Sequence, residues 1–343
     1  TRKLVVLTVD HRMRAESAAE VDHVYKLAKE LGLEAKPLSC AVPPTSQNEA
    51  RQARHRLLAA AAREAGAGLL LIGHTRSDVE ETFLMRLRRG SSLTRAAAPS
   101  PVSVSPVWPE GRGLTLARPL LGCRRSEIQD WLTENNIGWL SDPSNESLSY
   151  ERGRVRGDIR GLSSGEPLGN IIDNAAALRA LEDRKLAEDI RQRVSVDAAG
   201  LVQIRSLPET QASILRLVSA VVLAASGGDT PADASKLVSA LATFGDMPTG
   251  HRFTLGGSWL QKTDSGLLIG RDPGAVQARW SGGLWDGRYA MHDGPVEAIE
   301  TLPYLVRHAM PPESDCCEVI SERLHHMATT LDHSARLQSA LQA

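Results

Sequence analysis

The chain has 343 residues, of which 42% are hydrophobic and 24% charged, and its formal net charge is −1. That balance describes a globular protein and argues against a generic polyanion binder. No apolar run approaches the roughly 18 residues that a membrane span needs. The charge is uneven along the chain, with 24 Lys and Arg against 19 Asp and Glu through residue 165, and 16 against 22 beyond. A nucleotide or nucleic-acid surface is therefore expected in the first half. Cys40, Cys123, Cys316 and Cys317 form no C-x-x-C pair, which argues against a zinc ribbon or dithiol site and for a reduced, cytoplasmic protein.

Thr1-Arg2-Lys3 leads directly into Leu4-Val5-Val6-Leu7, with no initiator Met and no signal peptide, as if the numbering begins inside a longer protein. Residues 4–9 read as a strand ending in Asp10-His11-Arg12. A helix follows from Ser17, with Glu20 completing an S-x-x-E box, through Leu31, and Gly32 supplies a C-cap. A second strand covers 35–38 and a second helix 48–65, the latter carrying Arg51, Arg54, Arg56 and Arg63. Gly68-Leu-Leu-Leu-Ile72 reads as a buried strand. Val79, Phe83 and Leu87 then recur every four residues, so a helix follows. Ser77 and Glu80 match a capping box and place its start there. This strand–helix rhythm predicts a parallel sheet with helices on both faces.

Residues 91–113 are rich in Ser, Ala, Pro and Gly and read as a loop. A helix over 125–136 precedes a turn at Asp142-Pro143-Ser144-Asn145. Tyr150 to Arg156 then brings Arg152, Arg154 and Arg156 within five residues, either a solvated basic face or a phosphate clamp. Helices are predicted over 170–194, 207–225 and 231–244, a hairpin over 251–270 and a helix over 316–328. Two glycine-rich segments, Ser226-Gly227-Gly228-Asp229 and Ser281-Gly282-Gly283, do not lead from a strand into a helix as a phosphate loop does.

Asp78 lies in the loop-to-helix segment His74-Thr75-Arg76-Ser77-Asp78, at the strand end where open α/β sheets bind ligands. It reads either as an acid that favours the first helical turn or as a carboxylate facing a metal-bound phosphate, with His74 beside it.

Together these segments resemble the tRNA(Ile)-lysidine synthetase family of N-type ATP pyrophosphatases. The likeness rests on Val9 through Ser17, Ala50 through Arg54, His74 through Gly90, Arg118-Pro119-Leu120-Leu121, Asp142 through Asn145 and Tyr150 through Arg156, in family order across residues 5–160. It implies an α/β, Rossmann-like adenylating domain over residues 1–165. A mainly helical α+β region over 166–343 would include the helical linker and bind tRNA.

The implied reaction adenylates C2 of the wobble cytidine of tRNA(Ile) with a CAU anticodon, using ATP and Mg2+. Free lysine then displaces AMP. On this resemblance Asp78 is the metal ligand and is catalytic with Arg152 and Arg118. His11, His74 and Glu81 hold the cofactor, and Arg51, Arg54, Arg154 and Arg156 meet the tRNA. The assignment is compatible with a homodimer.

The family's S-G-G-x-D-S loop is absent and is expected to precede Thr1, leaving the chain as it stands inactive. Arg12 stands where the family has Gly, Ser77 and Val79 replace an Asp and a Gln, and Gly153 replaces an Asn. The alternatives are a non-catalytic tRNA-binding homologue or a tRNA thiolase; the latter usually needs paired reactive cysteines, and none here is suitably spaced.

Overall fold

In the structure, a computed structural model, residues 3–13, 17–97, 99–140, 151–161, 166–197, 199–276, 280–281, 284–288 and 316–342 are described. They belong to two compact units that alternate along the chain. The first comprises residues 1–68, 104–114 and 185–329, and the second residues 69–103, 115–184 and 330–343.

The first unit opens with β1 (Val5–Asp10), α1 (Ser17–Glu30), β2 (Glu34–Ser39) and α2 (Gln47–Glu64). β1 and β2 are parallel, with Val5 opposite Glu34 and Asp10 opposite Ser39. A parallel pair needs a crossover, and α1 provides it, packing on both strands while α2 packs on β1. Gly32 ends the α1 turn at φ +69, a conformation that favours glycine. Ser17 is the first residue of α1. Its hydroxyl donates to Asp10 Oδ1 at 2.6 Å and ties the helix start to the end of β1.

The same unit contains a five-stranded sheet in the order β6-β7-β10-β9-β8. Its strands are β6 (Val194–Val196), β7 (Val202–Ile204), β8 (Arg252–Leu255), β9 (Ser258–Lys262) and β10 (Leu267–Arg271). The segment 251–270, expected as one hairpin, forms three of its strands, β8, β9 and β10, with β8 at the edge. The two short strands before residue 205 were not expected, because three residues carry no readable alternation. α8 (Gln211–Ser226) packs on β9 and β10, and α9 (Ala234–Ala242) on α8. Val202, Ile204, Leu217, Val221, Leu260, Leu267 and Ile269 are buried here, each worth about 1.5–3 kcal/mol of transfer free energy.

In the second unit, β3 (Leu69–Leu71) lies parallel to β5 (Thr115–Ala117), and β4 (Val102–Val104) flanks β5. β3 is not the buried strand that its apolar run predicts: Leu69 and Leu71 are about half exposed. It stands at the end of its sheet, paired with β5 alone among the described residues. α3 (Arg76–Arg88) follows β3, and the segment read as loop contains the short α4 (Leu93–Ala96) as well as β4. α5 (Arg125–Glu134), α6 (Glu151–Gly161) and α7 (Glu166–Arg193) come next. Val79, Phe83, Ala96, Ala97, Leu121, Ile172 and Ala175 form one buried cluster, so the four-residue apolar period of α3 faces a core as predicted. The last helix, α10 (Cys316–Gln342), extends well past the expected 316–328, and only its residues from 330 onward belong to this unit.

Arg12 adopts φ +55 just after β1, the left-handed region where a Cβ crowds the following carbonyl. Its N–H donates to Asp10 Oδ1 at 2.7 Å and its guanidinium to Ser39 Oγ at 3.2 Å, which hold the turn. Arg12→Gly is expected to match or exceed the parent in urea unfolding, since relief of strain outweighs the exposed contact and glycine's chain entropy. Arg12→Val should lose about 1–2 kcal/mol, because β-branching worsens the left-handed clash. Equal stability of the Gly and Val variants would contradict this account.

Candidate functional site

The site is built on the first turns of α3. Thr75 precedes the helix, and Asp78 accepts from both the Thr75 N–H at 2.9 Å and the Thr75 hydroxyl at 2.8 Å, through the same oxygen, Oδ2. The helix therefore starts two residues before the Ser77–Glu80 box that its sequence offers. Ser77 is used otherwise: its Oγ accepts the backbone N–H of Arg125 at 3.2 Å and anchors the start of α5.

From this start the acidic residues of α3 turn toward arginines. Glu80 is buried between Arg124, 3.0 Å away, and Arg76, 3.6 Å away; Arg76 also pairs with Asp173 of α7 at 2.6 Å. Glu81, one of the most buried charged groups, takes Arg156 Nε at 2.5 Å on Oε1 and Arg152 Nε at 3.0 Å on Oε2. Arg125 approaches Glu81 Oε1 at 3.7 Å and Asp78 Oδ1 at 3.3 Å, so it bridges the two acids. Around this group α3 and α6 are further joined by Arg88 with Asp158 and Arg89 with Glu151. Val155 of α6 is fully buried between the charged positions.

Burial pushes the Asp78 carboxyl upward, but the two Thr75 hydrogen bonds and the charges of Arg125 and Arg152 outweigh it, so the group titrates below its ordinary 3.8. Oδ2 is committed to Thr75, whereas Oδ1 meets Arg125 at the long end of hydrogen bonding. Magnesium commonly takes one or two protein carboxylates and completes its shell with phosphates and water. Asp78 Oδ1 fits that limited role. Among the described residues no group of three or more His, Cys, Asp or Glu is placed to hold a metal alone.

The structure thus brings Asp78, Glu81, Arg152 and Arg156 together. Arg154, on the same helix, is exposed. His74 and Arg118 form a second pair in this unit. Arg118 is buried; its Nε donates to His74 Nδ1 at 3.2 Å, and its NH1 donates to Ser100 O at 2.8 Å and Ser103 Oγ at 3.1 Å. Because a guanidinium can only donate, His74 Nδ1 must accept, and the imidazole proton resides on Nε2.

His11 lies in the first unit, at the carboxyl end of β1, with Cys40 Sγ 3.8 Å from its Nδ1. Burial, then the charge of Arg54 on α2, lowers the His11 pKa. Arg51 is exposed on the same helix. The Asp142-Pro143-Ser144-Asn145 turn and Tyr150 lie outside the described residues. Arg125, Thr75 and the Arg76–Glu80–Arg124 chain were not anticipated. The adjacent arginines at the predicted start of a helix were the available signal, but nothing local says which acids they reach.

A family described as a PP-loop domain matches residues 1–161. The chain is 39% identical over 201 residues to a tRNA(Ile)-lysidine synthase of Hyphomonas neptunium, covering 58% of this chain and 55% of that protein. It is 33% identical over 318 residues to a tRNA(Ile)-lysidine synthase of Brucella ovis, covering 88% of this chain and 69% of that one. The chain therefore spans between about half and two thirds of the length of these relatives. Among solved structures, the U34-tRNA thiolase NcsA from Methanococcus maripaludis aligns with 52% of this chain and 61% of its own, at 16% identity and a TM-score of 0.41.

Asp78 carries a testable pH signature. Its folded-state pKa lies below the ordinary 3.8, so its stabilisation is complete above that value and is lost as pH falls through the lower folded value. Asp78→Asn should be less stable at neutral pH, and its stability should fall less steeply below pH 3.8. Urea midpoints measured across that range check this; parallel acid limbs for the two proteins would rule it out.

Proposed function

The chain belongs to the tRNA(Ile)-lysidine synthase family, and from that premise we propose that it takes part in ATP-dependent ligation of lysine to the wobble cytidine of a tRNA(Ile) bearing a CAU anticodon. The observation that supports this reading most directly is the group of arginines from α5 and α6 that meets the acids of α3. Asp78, Arg125 and Arg152 stand together at the end of a parallel strand, within the residues that the PP-loop family matches.

Adenylyl transfer develops charge on phosphate oxygens, and positioned cations stabilise it more than a covalent nucleophile does. In this proposal Arg152 and Arg125 meet those oxygens, while Arg156 remains largely committed to Glu81. Asp78 Oδ1 would hold magnesium, which supplies positive charge against the departing pyrophosphate. Arg118 acts through His74: it fixes the tautomer so that Nε2–H is a hydrogen-bond donor at the end of β3. His11 is assigned to nucleotide binding. Arg51, Arg54 and Arg154 are assigned to the tRNA backbone, and Arg51 and Arg154 have the exposure for it. Residues 1–165 are proposed as the adenylating region and 166–343 as the tRNA-binding remainder.

Incorporation of labelled lysine into tRNA, measured on the chain preceded by the family's S-G-G-x-D-S loop, tests the reading. Asp78→Asn and Arg152→Ala should each lower turnover by roughly 10²–10³, the usual cost of one well-placed electrostatic group. Near-normal incorporation by folded Asp78→Asn would reduce that residue to a helix cap. A second expectation follows from the positive balance of residues 1–165. Affinity for tRNA should fall steeply between low and moderate salt, because phosphate contacts release counterions. A flat salt response would remove the basic half of the chain as the contact surface.

A further inference from the structure

Glu81 presents a puzzle that its assignment as a cofactor-binding residue leaves unsolved. Its side chain is only 2% exposed, so neither a nucleotide nor a metal ion reaches it directly. Yet it is the common partner of three guanidiniums from two helices: Arg125 of α5, and Arg152 and Arg156 of α6. With Asp78 counted, two carboxylates face three guanidiniums, a surplus of one positive charge. The surplus is accessible, since the side chains of Arg125 and Arg152 are 38% and 45% exposed, whereas that of Arg156 is 14% exposed.

A buried carboxylate is costly to desolvate and is weak support for stability by itself. An arrangement of this kind instead fixes direction. Glu81 lies two residues from both Val79 and Phe83, whose side chains are in the core, so its carboxylate has little freedom. Arg152 and Arg156 grip its two oxygens through their Nε atoms, and Arg125 spans from it to Asp78. Three long, flexible cations that would otherwise repel one another are thereby held in one place.

We propose that Glu81 is a positioning residue that arranges Arg125 and Arg152 into a binding site for a condensed phosphate, with Arg125 the second cation of that site. The choice of a condensed phosphate rests on the function proposed above; the arrangement of the guanidiniums does not. Arg125 suits the task because its planar fork can bridge Asp78 and Glu81 while presenting an exposed edge. A lysine's single ammonium cannot reproduce this.

The proposal reverses the sign that simple electrostatics gives. Removing an acid from beside an anion site should tighten anion binding; removing a positioning acid should weaken it. Calorimetric titration of the full chain with inorganic pyrophosphate, without added divalent cation, separates the two, with thermal unfolding run in parallel. The parent should bind, and Glu81→Gln should bind about tenfold more weakly, as expected for losing one charge-assisted contact. Arg125→Lys should show a similar loss with its melting temperature little changed, and it decides alone if Glu81→Gln does not fold. Binding by either variant as tight as the parent's, or no binding by the parent, overturns the proposal. The lysine-incorporation assay remains separate. If it fails in the protein carrying the S-G-G-x-D-S loop while this affinity pattern holds, lysidine formation is wrong and the positioning role stands.

Discussion

Helix α3 starts where Asp78 reaches back to the Thr75 N–H and hydroxyl, and the arrangement of the second unit follows from that start. Orphan N–H groups at a helix start need acceptors, and a carboxylate in the first turn also meets the favourable end of the helix dipole. With Thr75 outside the helix and Asp78 in its first turn, the later residues follow at the helical period. Val79 and Phe83 fall on the core side, while Glu80 and Glu81 fall where α5, α6 and α7 supply arginines. A start two residues later would leave the same side-chain phase but would free Asp78 from Thr75. It would also release the backbone N–H of Arg125 from Ser77.

Two buried glutamates on consecutive positions would be untenable in an apolar interior. They are tolerated because guanidiniums close on them from several elements. Glu80 is shared by Arg76 and Arg124, and Glu81 by Arg125, Arg152 and Arg156. Arg76 then extends the chain to Asp173 and to the carbonyl of Gly169 on α7. The apolar cluster and the ionic group are therefore both built on one helix. Loss of a single arginine leaves a buried carboxylate short of a partner, which is more disruptive than loss of an exposed pair.

Much of this was legible in local sequence. The β1–α1–β2 crossover, the glycine at 32, the apolar period of α3 and the basic cluster at 152–156 all declare themselves through spacing and composition. The start of α3 did not, because Thr75 with Asp78 and Ser77 with Glu80 are both acceptable boxes. The decision came from α5, which recruits Ser77, and from the arginines that draw Glu80 into the interior. Arg125 was missed for the same reason: its acids lie 44 and 47 positions earlier in the chain, beyond any periodic signal. β6 and β7 were missed because three-residue strands acquire their identity only by pairing with each other and with β10. The exposed leucines of β3 show the converse, where an apolar run correctly identifies a strand but says nothing of which flank is covered.

The two readings of Asp78 that the sequence leaves in competition need not exclude each other. The helix-start role uses Oδ2, which both Thr75 donors share, and the electrostatic role uses Oδ1, which meets Arg125. Anchoring one oxygen fixes the carboxylate plane and so aims the other. A carboxylate without the Thr75 bonds would rotate freely, and its second oxygen would spend orientational entropy on binding any cation. The cap therefore orients the free oxygen, in the way that outer hydrogen bonds orient a coordinating group elsewhere. The same division appears at Arg118, whose bonds to Ser100 and Ser103 fix the guanidinium that fixes His74. In both places a group that looks structural by its bonds is what gives its neighbour a defined chemical direction.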